Sequence, residues 1–397
     1  MLEADLDKEM LNNLIQTYRP EYLWIPNERS PEFPHGRAIF SLFSYTLIRL
    51  QEENCFPLHD DLALLLTTSG STGSPKLVRL TYDNILANAE SIAEYLSIDK
   101  NERPITTLPM SYSFGLSIIN SHLLKGATIL LTSKTLMEKE FWDFLKSQKA
   151  TSMSGVPYTY EILKKLRFFR MDLPSVKTLT QAGGKLNTEL NKEFSEFSQQ
   201  SGKRFFVMYG QTEATARMSY LPHQYSLTKL GSMGIAIPGG TFSLIDDSGA
   251  PIEESDMMGE LVYQGRNVSM GYAECGVDLQ KEDENKGTLF TGDLAKRDSD
   301  HFYYIVGRKK RFIKIYGNRV NLDETERLLK NIIPDCACTG EDDHMLIYIT
   351  DKSQINQVRS YISAKTGIHH SAFTIRVIDT IPKNSSGKTI YSNMPRS

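Results

Sequence analysis

The chain alternates between segments with the periodicity of strands and segments with the periodicity of helices. An apolar run over residues 62–66 and an alternating run over residues 77–81 predict two strands joined by a polar loop. Apolar residues then recur at helical spacing over residues 85–96, with Asp83 or Asn84 as the expected helix cap. This alternation, without internal repeats, predicts an α/β fold.

The alternation of strand and helix patterns continues to about residue 207, and the pattern then changes. Residues 116–124 are expected to form a helix and residues 127–131 a buried strand. Short strands and turns dominate residues 220–305, which predicts a β-rich subdomain. Beyond about residue 310, two helical patterns on either side of an apolar strand indicate a small α+β unit.

Composition and charge limit the function without defining it. The chain has 397 residues, with 45 Lys and Arg against 48 Asp and Glu, and a net charge of −3. This balance calls for neither nucleic acid nor an anionic membrane as a partner. The first residues lack a signal core and no apolar run reaches the length of a membrane span, so a cytoplasmic protein is expected. Four cysteines are too few for a disulfide framework, and the spacing of Cys336 and Cys338 does not favour a zinc site.

The loop between the first two predicted strands carries the most specific chemistry. Residues 66–76 read LTTSGSTGSPK, so hydroxyl side chains alternate with glycines and a lysine closes the run. Glycines bring backbone N–H groups close to an anion, the hydroxyl groups add donors, and Lys76 adds a positive charge. The loop is therefore expected to hold phosphate. It is not the common P-loop, because Pro75 precedes the lysine and Leu77 follows it.

Segments further along the chain extend this observation. They read VMYGQTEAT at 207–215, GEL at 259–261 with GY at 271–272, FTGDL at 290–294, GRKKRFIK at 307–314 and PKNSSGK at 382–388. Together with the loop, and in this order, they resemble the motifs of the adenylate-forming superfamily, which includes acyl-CoA synthetases, aryl-CoA ligases, luciferases and peptide-synthetase adenylation domains. The resemblance covers about residues 60–390, and motifs in a fixed order reinforce one another.

The resemblance implies how the chain is divided. Residues 1–309 are expected to form the N-terminal adenylate-forming domain, with α/β sheet layers and the β-rich subdomain. Residues 310–397 are expected to form a small, mobile α+β lid domain, with Lys310 at the family's hinge position. Members usually carry a longer segment ahead of the phosphate loop. We therefore expect a compact member whose exposed apolar surface is covered by a homodimer or another partner.

The resemblance also implies a reaction, in which a small carboxylic acid and ATP give an acyl-adenylate and pyrophosphate. Lys388, Thr212 and Glu213 are then catalytic, and Glu213 is also the ligand of Mg²⁺. Tyr209 is expected to stack on adenine and Asp293 to accept the ribose hydroxyl groups. The residues expected to bind the nucleotide are Thr68, Ser69, Gly70, Ser71, Thr72, Gly73, Lys76, Gly183, Gly184, Tyr209, Gly210, Thr212, Asp293, Arg308 and Lys314.

An acid pocket follows from the same resemblance. It is expected to be lined by Tyr112, Ser113, Val156, Pro157, Tyr160, Met208 and Arg217. Adenylation domains for α-amino acids commonly carry an aspartate at the position of Ser113, so a standard amino acid is disfavoured. Arg217 has two interpretations that stay open: a partner for a second carboxylate or polar group of the acid, or a surface arginine.

The second implied step is transfer of the acyl group to the thiol of a phosphopantetheine arm, which would pass Gly317. The acceptor stays open between CoA and an acyl carrier protein. Two other functions also stay open: an amino-acid-activating adenylation enzyme, and a non-catalytic relative that acts as an assembly subunit. The presence of both Lys388 and Glu213 argues against the latter, because a scaffold has no electrostatic need for either.

Overall fold

The computed structural model describes residues 1–50, 55–67, 76–315, 318–366, 368–383 and 389–395. In these ranges the α-helices are α1 Lys8–Tyr18, α2 Tyr82–Tyr95, α3 Ser113–Leu124, α4 Lys139–Ser147, α5 Pro157–Lys165, α6 Thr188–Gln200, α7 Leu322–Leu329 and α8 Ile355–Thr366. The strands are β1 Tyr22–Pro26, β2 Arg37–Leu42, β3 Tyr45–Arg49, β4 Leu62–Thr67, β5 Leu77–Thr81, β6 Pro104–Ile105, β7 Ser152–Gly155, β8 Thr178–Gln181, β9 Arg204–Tyr209, β10 Ser219–Leu221, β11 Ile235–Ala236, β12 Gly240–Ile245, β13 Met258–Gly265, β14 Gly271–Ala273, β15 Thr288–Arg297, β16 Tyr303–Arg308, β17 Phe312–Ile315, β18 Asn318–Asn321, β19 Cys336–Glu341, β20 His344–Ile349 and β21 Phe373–Val377.

The largest sheet has six strands in the order β11-β10-β9-β8-β7-β6. Strands β6 to β9 run parallel, whereas β9, β10 and β11 run antiparallel. Every residue of β7 and β8 is buried, as is typical of parallel strands that are covered on both faces. The predicted α/β fold with sheet layers is confirmed.

Strand β9 shows how the two faces of this sheet are filled. Phe205 and Val207 belong to the apolar cluster that α4, α5 and α6 form on one face. Phe206 and Met208 belong to a second cluster, with α2 and α3. Because successive side chains of a strand point to opposite faces, the two clusters lie on opposite sides of the sheet. The chain leaves β9 at Tyr209 with one helical layer on each side.

Two antiparallel sheets carry most of the remaining motifs. Strands β14, β5 and β4 form one, in which Leu62 lies opposite Thr81 as the sequence predicts for a strand pair. Strands β12, β13, β15 and β16 form the other, in which Asp293 lies opposite Arg308. Tyr272 of β14 lies opposite Val78 of β5. The GY segment is therefore adjacent to the strand that follows the predicted phosphate loop.

The elements after about residue 310 pack around their own apolar cluster. Strands β17 and β18 form a hairpin, and β19, β20 and β21 form a sheet whose last pair is parallel. Leu329 of α7 and Val358 of α8 are fully buried against this sheet. Cys336 and Cys338 are buried free thiols, and no cluster suited to a metal ion occurs in the described ranges. None of the helices described is both long and apolar enough to cross a bilayer.

Near its beginning the chain forms a small sheet with an open apolar surface. The sheet has the order β1-β3-β2, and every residue of β2 is exposed. The ring of Trp24 stacks on those of Tyr45 and Phe40, with centroids 5.7 and 6.3 Å apart. Phe43, in the turn between β2 and β3, is 94% exposed. The expected exposed apolar surface lies here, whereas its cover by a second copy or a partner stays a prediction.

Two local predictions were wrong. The cap of α2 is Thr81 rather than Asp83 or Asn84, because the Thr81 hydroxyl accepts the Asn84 N–H while Asn84 accepts the Thr81 N–H, each over about 3 Å. Residues 127–131 do not form a strand. The segment runs beside β6 through three backbone hydrogen bonds, but these form only one isolated bridge, between Leu130 and Ile105.

Arg79 of β5 binds the backbone in and around β14. It thereby fixes the strand that follows the predicted phosphate loop to this part of the chain. Its side chain is fully buried, and its Nε and Nη2 donate to the carbonyl oxygens of Tyr272 and Met270 at 3.2 and 3.0 Å. Further bonds reach the carbonyl oxygen of Glu282 at 3.2 Å and the carboxylate of Glu284 at 2.8 Å. One side chain therefore satisfies several backbone acceptors that would otherwise be buried unpaired.

We predict that Arg79→Met lowers the free energy of unfolding by about 3 kcal/mol, because it leaves these carbonyl groups without donors. Arg266→Met is the matched control: Arg266 is exposed and pairs with Asp83, so a loss below about 1 kcal/mol is expected. Chemical denaturation of both variants is the measurement. Equal losses in the two variants would contradict the role of Arg79.

Candidate functional site

The candidate site begins where the chain leaves β9 in a sharp turn. After Tyr209 the segment Thr212–Ala214 forms a short 3-10 turn, and the Met218 N–H returns to the Tyr209 carbonyl at 2.9 Å. A Cβ at Gly210 would lie 1.6 Å from the carbonyl oxygen of Ala216, so no side chain fits at this position. The turn projects Tyr209, Thr212 and Glu213 from the end of the central sheet.

A buried carboxylate is at the centre of the site. Asp293 is 5% exposed, and its Oδ2 accepts bonds from the Tyr209 hydroxyl at 2.5 Å and from Gln211 Nε2 at 2.8 Å. Gln211 Nε2 also donates to the Thr291 carbonyl at 3.0 Å. Arg308 Nε lies 3.5 Å from the other oxygen, Oδ1, with its own side chain largely exposed. The structure thus brings Tyr209, Asp293 and Arg308 together.

The protonation of this cluster follows from its burial. Burial raises the pKa of Asp293, while Arg308 and the bonds from Tyr209 and Gln211 oppose that rise. Burial, and then the charge of Asp293, raise the pKa of Tyr209 well above its ordinary value. Tyr209 is therefore a protonated donor and Asp293 an acceptor. Asp293 Oδ1 is the carboxylate oxygen that lies toward Arg308.

Glu213 is joined to the exit of the predicted phosphate loop through Tyr272. The Tyr272 hydroxyl donates to Glu213 Oε1 at 2.7 Å, and Lys76 Nζ lies 3.8 Å from the centroid of the Tyr272 ring. Lys76 Nζ also lies 3.4 Å from Glu274 Oε1. These contacts place the lysine at the end of the loop beside the carboxylate predicted to bind Mg²⁺.

The acid side of the site adjoins this cluster. Ser113 Oγ and Thr212 Oγ1 are 3.1 Å apart, so the first turn of α3 contacts the turn after β9. Gly183 has φ +80°, and a Cβ there would lie 2.5 Å from the Tyr112 hydroxyl and 3.0 Å from Val156. Tyr112, Val156 and Gly183 therefore form one wall, which lies next to Thr212 through Ser113.

The remaining predicted pocket residues divide into two groups. A Cβ at Gly184 would lie 3.1 Å from Pro157 Cγ, so both lie beside the same wall. Met208 packs in the same apolar cluster as Val156. Tyr160 is not brought to this wall: it is buried on the opposite face of the sheet, where its ring lies 4.8 Å from that of Phe194. Its ring packs against those of Phe194 and Phe205 in the cluster of α5, α6 and the central sheet, and therefore does not line the wall.

Arg217 is buried, so the interpretation as a surface arginine is wrong. Its side chain is 1% exposed, and its Nη1 lies 3.0 Å from the Tyr95 hydroxyl. Its guanidinium lies 4.3 Å from the centroid of the Phe114 ring. Phe114 directly follows Ser113 in α3, so Arg217 lies under the acid side of the site.

Several predicted site residues lie outside the described residues. These are Thr68, Ser69, Gly70, Ser71, Thr72, Gly73, Gly317 and Lys388. The side chains of Lys310 and Lys314 also lie outside what is described. Their predicted roles in phosphate binding, in the hinge, in the thiol path and in catalysis stay predictions.

Sequence reasoning missed two contributors to the site. Gln211 occupies the variable position of the YGxTE segment, yet it contacts both Asp293 and Thr291. Tyr272 was noted only as part of the GY pair, yet it contacts both Glu213 and Lys76. The available signal was weak, because a polar residue in a variable position and a tyrosine in a strand are both common.

The profile of the AMP-binding enzyme family matches residues 6–273, and the chain belongs to this family. Feruloyl-CoA synthase from Amycolatopsis sp. is 26% identical over 353 residues, which cover 85% of this chain and 70% of that protein. The 2-succinylbenzoate–CoA ligase of Geobacillus sp. (strain WCH70) is 26% identical over 344 residues, which cover 83% of this chain and 68% of the ligase.

Solved structures agree on the fold. O-succinylbenzoate coenzyme A synthetase from Bacillus subtilis, in complex with AMP, superposes with a TM-score of 0.72 at 23% identity, covering 90% of this chain and 72% of that chain. McyG A-PCP, complexed with phenylalanyl-adenylate, has a TM-score of 0.67 at 22% identity and covers 90% of this chain and 59% of its own. At these identities the likeness establishes the architecture.

We predict that Asp293→Asn reduces nucleotide affinity at least about tenfold without reducing stability at neutral pH. Burial raises the pKa of Asp293 in the folded state, so its contribution to stability is present below the pKa of the unfolded chain and is lost as the pH rises through the folded pKa. At pH 7 the Asp293→Asn variant carries no buried charge at this position and is expected to have a free energy of unfolding at least equal to that of the parent protein. This difference in stability is expected to vanish below about pH 4, where Asp293 is protonated in both the folded and the unfolded chain. Calorimetric titration with ATP and denaturation across this pH range are the measurements.

Asp298→Asn is the matched control. Asp298 directly follows β15, and its carboxylate accepts a bond from Lys229 at 2.8 Å rather than from any residue of the candidate site. Its replacement is expected to lower stability at neutral pH and to leave ATP affinity unchanged. If Asp293→Asn behaved like this control, Asp293 would be a structural residue only.

Proposed function

We propose that this protein activates a small carboxylic acid with ATP as an acyl-adenylate, releases pyrophosphate, and transfers the acyl group to a phosphopantetheine thiol. The observation that carries the proposal is the contact between Ser113 and Thr212, which joins the wall of Tyr112 and Val156 to the cluster of Tyr209 and Asp293. An acid and a nucleotide would meet at this contact. The family membership and the acid–CoA ligase names of the relatives support the same chemistry.

The nucleotide would be held from two directions. Asp293 would accept the ribose hydroxyl groups, a bidentate task to which a carboxylate is suited, and Tyr209 would stack on adenine. Thr212 would donate to the α-phosphate. Residues 68–73 and Lys76 would hold the β- and γ-phosphates, in keeping with the position of Lys76 beside Tyr272.

Glu213 has the chemistry expected of a Mg²⁺ ligand. Its Oε1 accepts the Tyr272 hydroxyl, and within the described ranges no hydrogen bond reaches Oε2, so one oxygen stays available to a hard cation. When bound, the ion would supply positive charge against the phosphate oxygens. The role of Tyr272 would be to orient the carboxylate, as hydrogen-bond partners of metal ligands commonly do.

The first step needs positioning and charge neutralisation rather than a protein nucleophile. An oxygen of the acid's carboxylate forms a bond to the α-phosphorus, and the bond from that phosphorus to the pyrophosphate oxygen breaks. Both reactants are anionic, so a cation that bridges them stabilises the transition state. Lys388 is assigned this role, because a lysine carries a compact charge on a long flexible stem.

The second step transfers the acyl group from the adenylate to a thiol and releases AMP. We assign residues 1–309 to the N-terminal domain and residues 310–397 to a lid that turns about Lys310 between the two steps. Gly317 would line the path of the phosphopantetheine arm. CoA and an acyl carrier protein are the two candidate acceptors, and the cytoplasm is the proposed location.

A standard α-amino acid is the less favoured substrate. Ser113 is buried and its hydroxyl contacts Thr212, so it offers no carboxylate to pair with an ammonium group. An amino-acid-activating enzyme would need another anion at this position. The cation Arg217 also lies close to this wall, with its guanidinium 4.3 Å from the centroid of the Phe114 ring.

We predict that Lys388→Ala loses at least about a hundredfold in pyrophosphate release with a panel of carboxylic acids, while ATP affinity changes little, because the lysine acts mainly in the transition state. Lys383→Ala is the matched control: Lys383 lies in the same motif but pairs with Asp335 at 2.7 Å at the surface. Normal pyrophosphate release by the Lys388→Ala variant would refute the assigned role. Lack of release by the unmodified protein with every acid would favour the assembly-subunit alternative.

A further prediction concerns the thiol acceptor. With an acid that supports pyrophosphate release, the protein is expected to form a thioester when a phosphopantetheine thiol is added, and mass spectrometry identifies the product. Free CoA and a carrier protein bearing the arm are offered in separate reactions. Release of acyl-adenylate with neither thiol consumed would show that the chain stops after the first step.

A further inference from the structure

Arg217 is a buried cation whose contacts are all uncharged. Its Nη1 lies 3.0 Å from the Tyr95 hydroxyl and 2.6 Å from Met208 Sδ, and its guanidinium lies over the ring of Phe114. Its Nε is buried without a hydrogen-bond partner. In the part of the chain that the structure describes, no carboxylate oxygen lies within 4.0 Å of the guanidinium.

The fully buried Arg79 and the largely buried Arg311 both contact carboxylates. Arg79, fully buried, contacts the carboxylate of Glu284 at 2.8 Å and several carbonyl groups. Arg311, whose side chain is 13% exposed, contacts Asp323 at 2.5 Å and Glu326 at 2.6 Å. A buried ion without a counter-ion costs several kcal/mol, which is why such ions are normally paired. Arg217 departs from this pattern at the candidate site itself.

A small cavity of about 20 Å³, room for roughly one water molecule, lies beside this guanidinium. It lies between the helices α2 and α3 and the central sheet. Its lining is largely apolar, with Ile92, Leu96, Ile98 and Ile118, but it also includes hydroxyl groups of Ser121, Ser152, Ser154, Thr178 and Thr180.

Charged groups around the cavity leave an excess of positive charge. Arg204 lines it and donates only to neutral oxygens, those of Thr178 and Leu96. Glu102 also lines it, but accepts a bond from Thr151. His122 is buried here, and burial lowers its pKa, so it is neutral at pH 7. The two arginines therefore face one carboxylate, which leaves one positive charge in excess among the residues that line the cavity.

The cavity and the wall of the acid pocket adjoin the same apolar cluster. Ile118 lines the cavity and packs in the same apolar cluster as Val156, Met208 and the partly buried Tyr112. Met208 separates the wall from Arg217, and a methionine side chain adapts its shape readily to a ligand. An acid whose reacting carboxylate lies near Thr212 would direct its distal end toward Arg217.

We infer that the acid activated here carries a second carboxylate, and that Arg217 binds it at the inner end of the pocket. The substrate then supplies the counter-ion that the folded chain lacks, by a charge-assisted bond to Nε. This inference rests on the proposed function for the position of the reacting carboxylate. Arg217 is thereby a specificity-determining residue, and an uncharged isostere of the second carboxylate should be a poor substrate.

The test compares acids that differ only in the distal group. Terephthalic acid, its monoamide and benzoic acid form one series, and adipic acid, its monoamide and hexanoic acid form another. In pyrophosphate release, the diacid of at least one series is expected to exceed its monoamide at least about tenfold in kcat/KM. Arg217→Met should reduce this preference to within about twofold, and Arg217→Lys should retain part of it.

A second readout does not depend on activity. Because the guanidinium has no counter-ion, Arg217→Met without ligand is expected to melt within about 2 °C of the parent protein or above it. The preferred diacid should raise the melting temperature of the parent protein and not that of Arg217→Met. Arg297→Met is the matched control, since Arg297 also has an unpaired Nε but lies in the four-stranded sheet. It should keep the preference for the diacid.

The outcomes separate the inference from the proposed function. Activation of monoacids without preference for either diacid would overturn the inference and leave the proposed function intact. Stabilisation by a diacid that depends on Arg217, without pyrophosphate release, would support the inference and count against the proposed function. A large loss of stability in Arg217→Met, together with no response of the parent protein to the diacids, would overturn the inference and make Arg217 a structural residue.

Discussion

The hydrogen bond between Tyr209 and Asp293 connects the central sheet to the four-stranded sheet at the candidate site. Tyr209 ends the last parallel strand of the central sheet, and Asp293 lies in the middle of the four-stranded sheet. Since Asp293 is buried, its charge is tolerated only because Tyr209, Gln211 and Arg308 surround it. The site exists only where the two sheets meet, so its geometry depends on how they pack.

A second set of contacts holds the phosphate side in register with this junction. Arg79 fixes β5 to the backbone on either side of Tyr272, and Tyr272 in turn contacts Glu213 and Lys76. The exit of the phosphate loop is therefore positioned by strand pairing and by one buried guanidinium.

The acid side of the site combines an apolar wall with buried polar groups. Its wall is apolar and closely packed around Gly183, where a side chain would collide with Tyr112 and Val156. Beneath this wall lie Arg217 and a cavity with hydroxyl groups. Such a combination of an apolar body and a polar end is typical of pockets that orient a ligand by a few placed polar groups. Specificity would then reside at the inner end rather than at the reacting group.

The sequence by itself determined the fold class, the family and the identity of the residues that carry the motifs, because periodicity, turn residues and short motifs are local properties of the chain. It also predicted the strand pair on either side of the phosphate loop. It could not decide that Tyr160 faces the core away from the site, that Gln211 supports Asp293, or that Arg217 is buried. Those outcomes depend on which faces of distant strands and helices meet, and only the tertiary structure, which sets burial and long-range contacts, decided them.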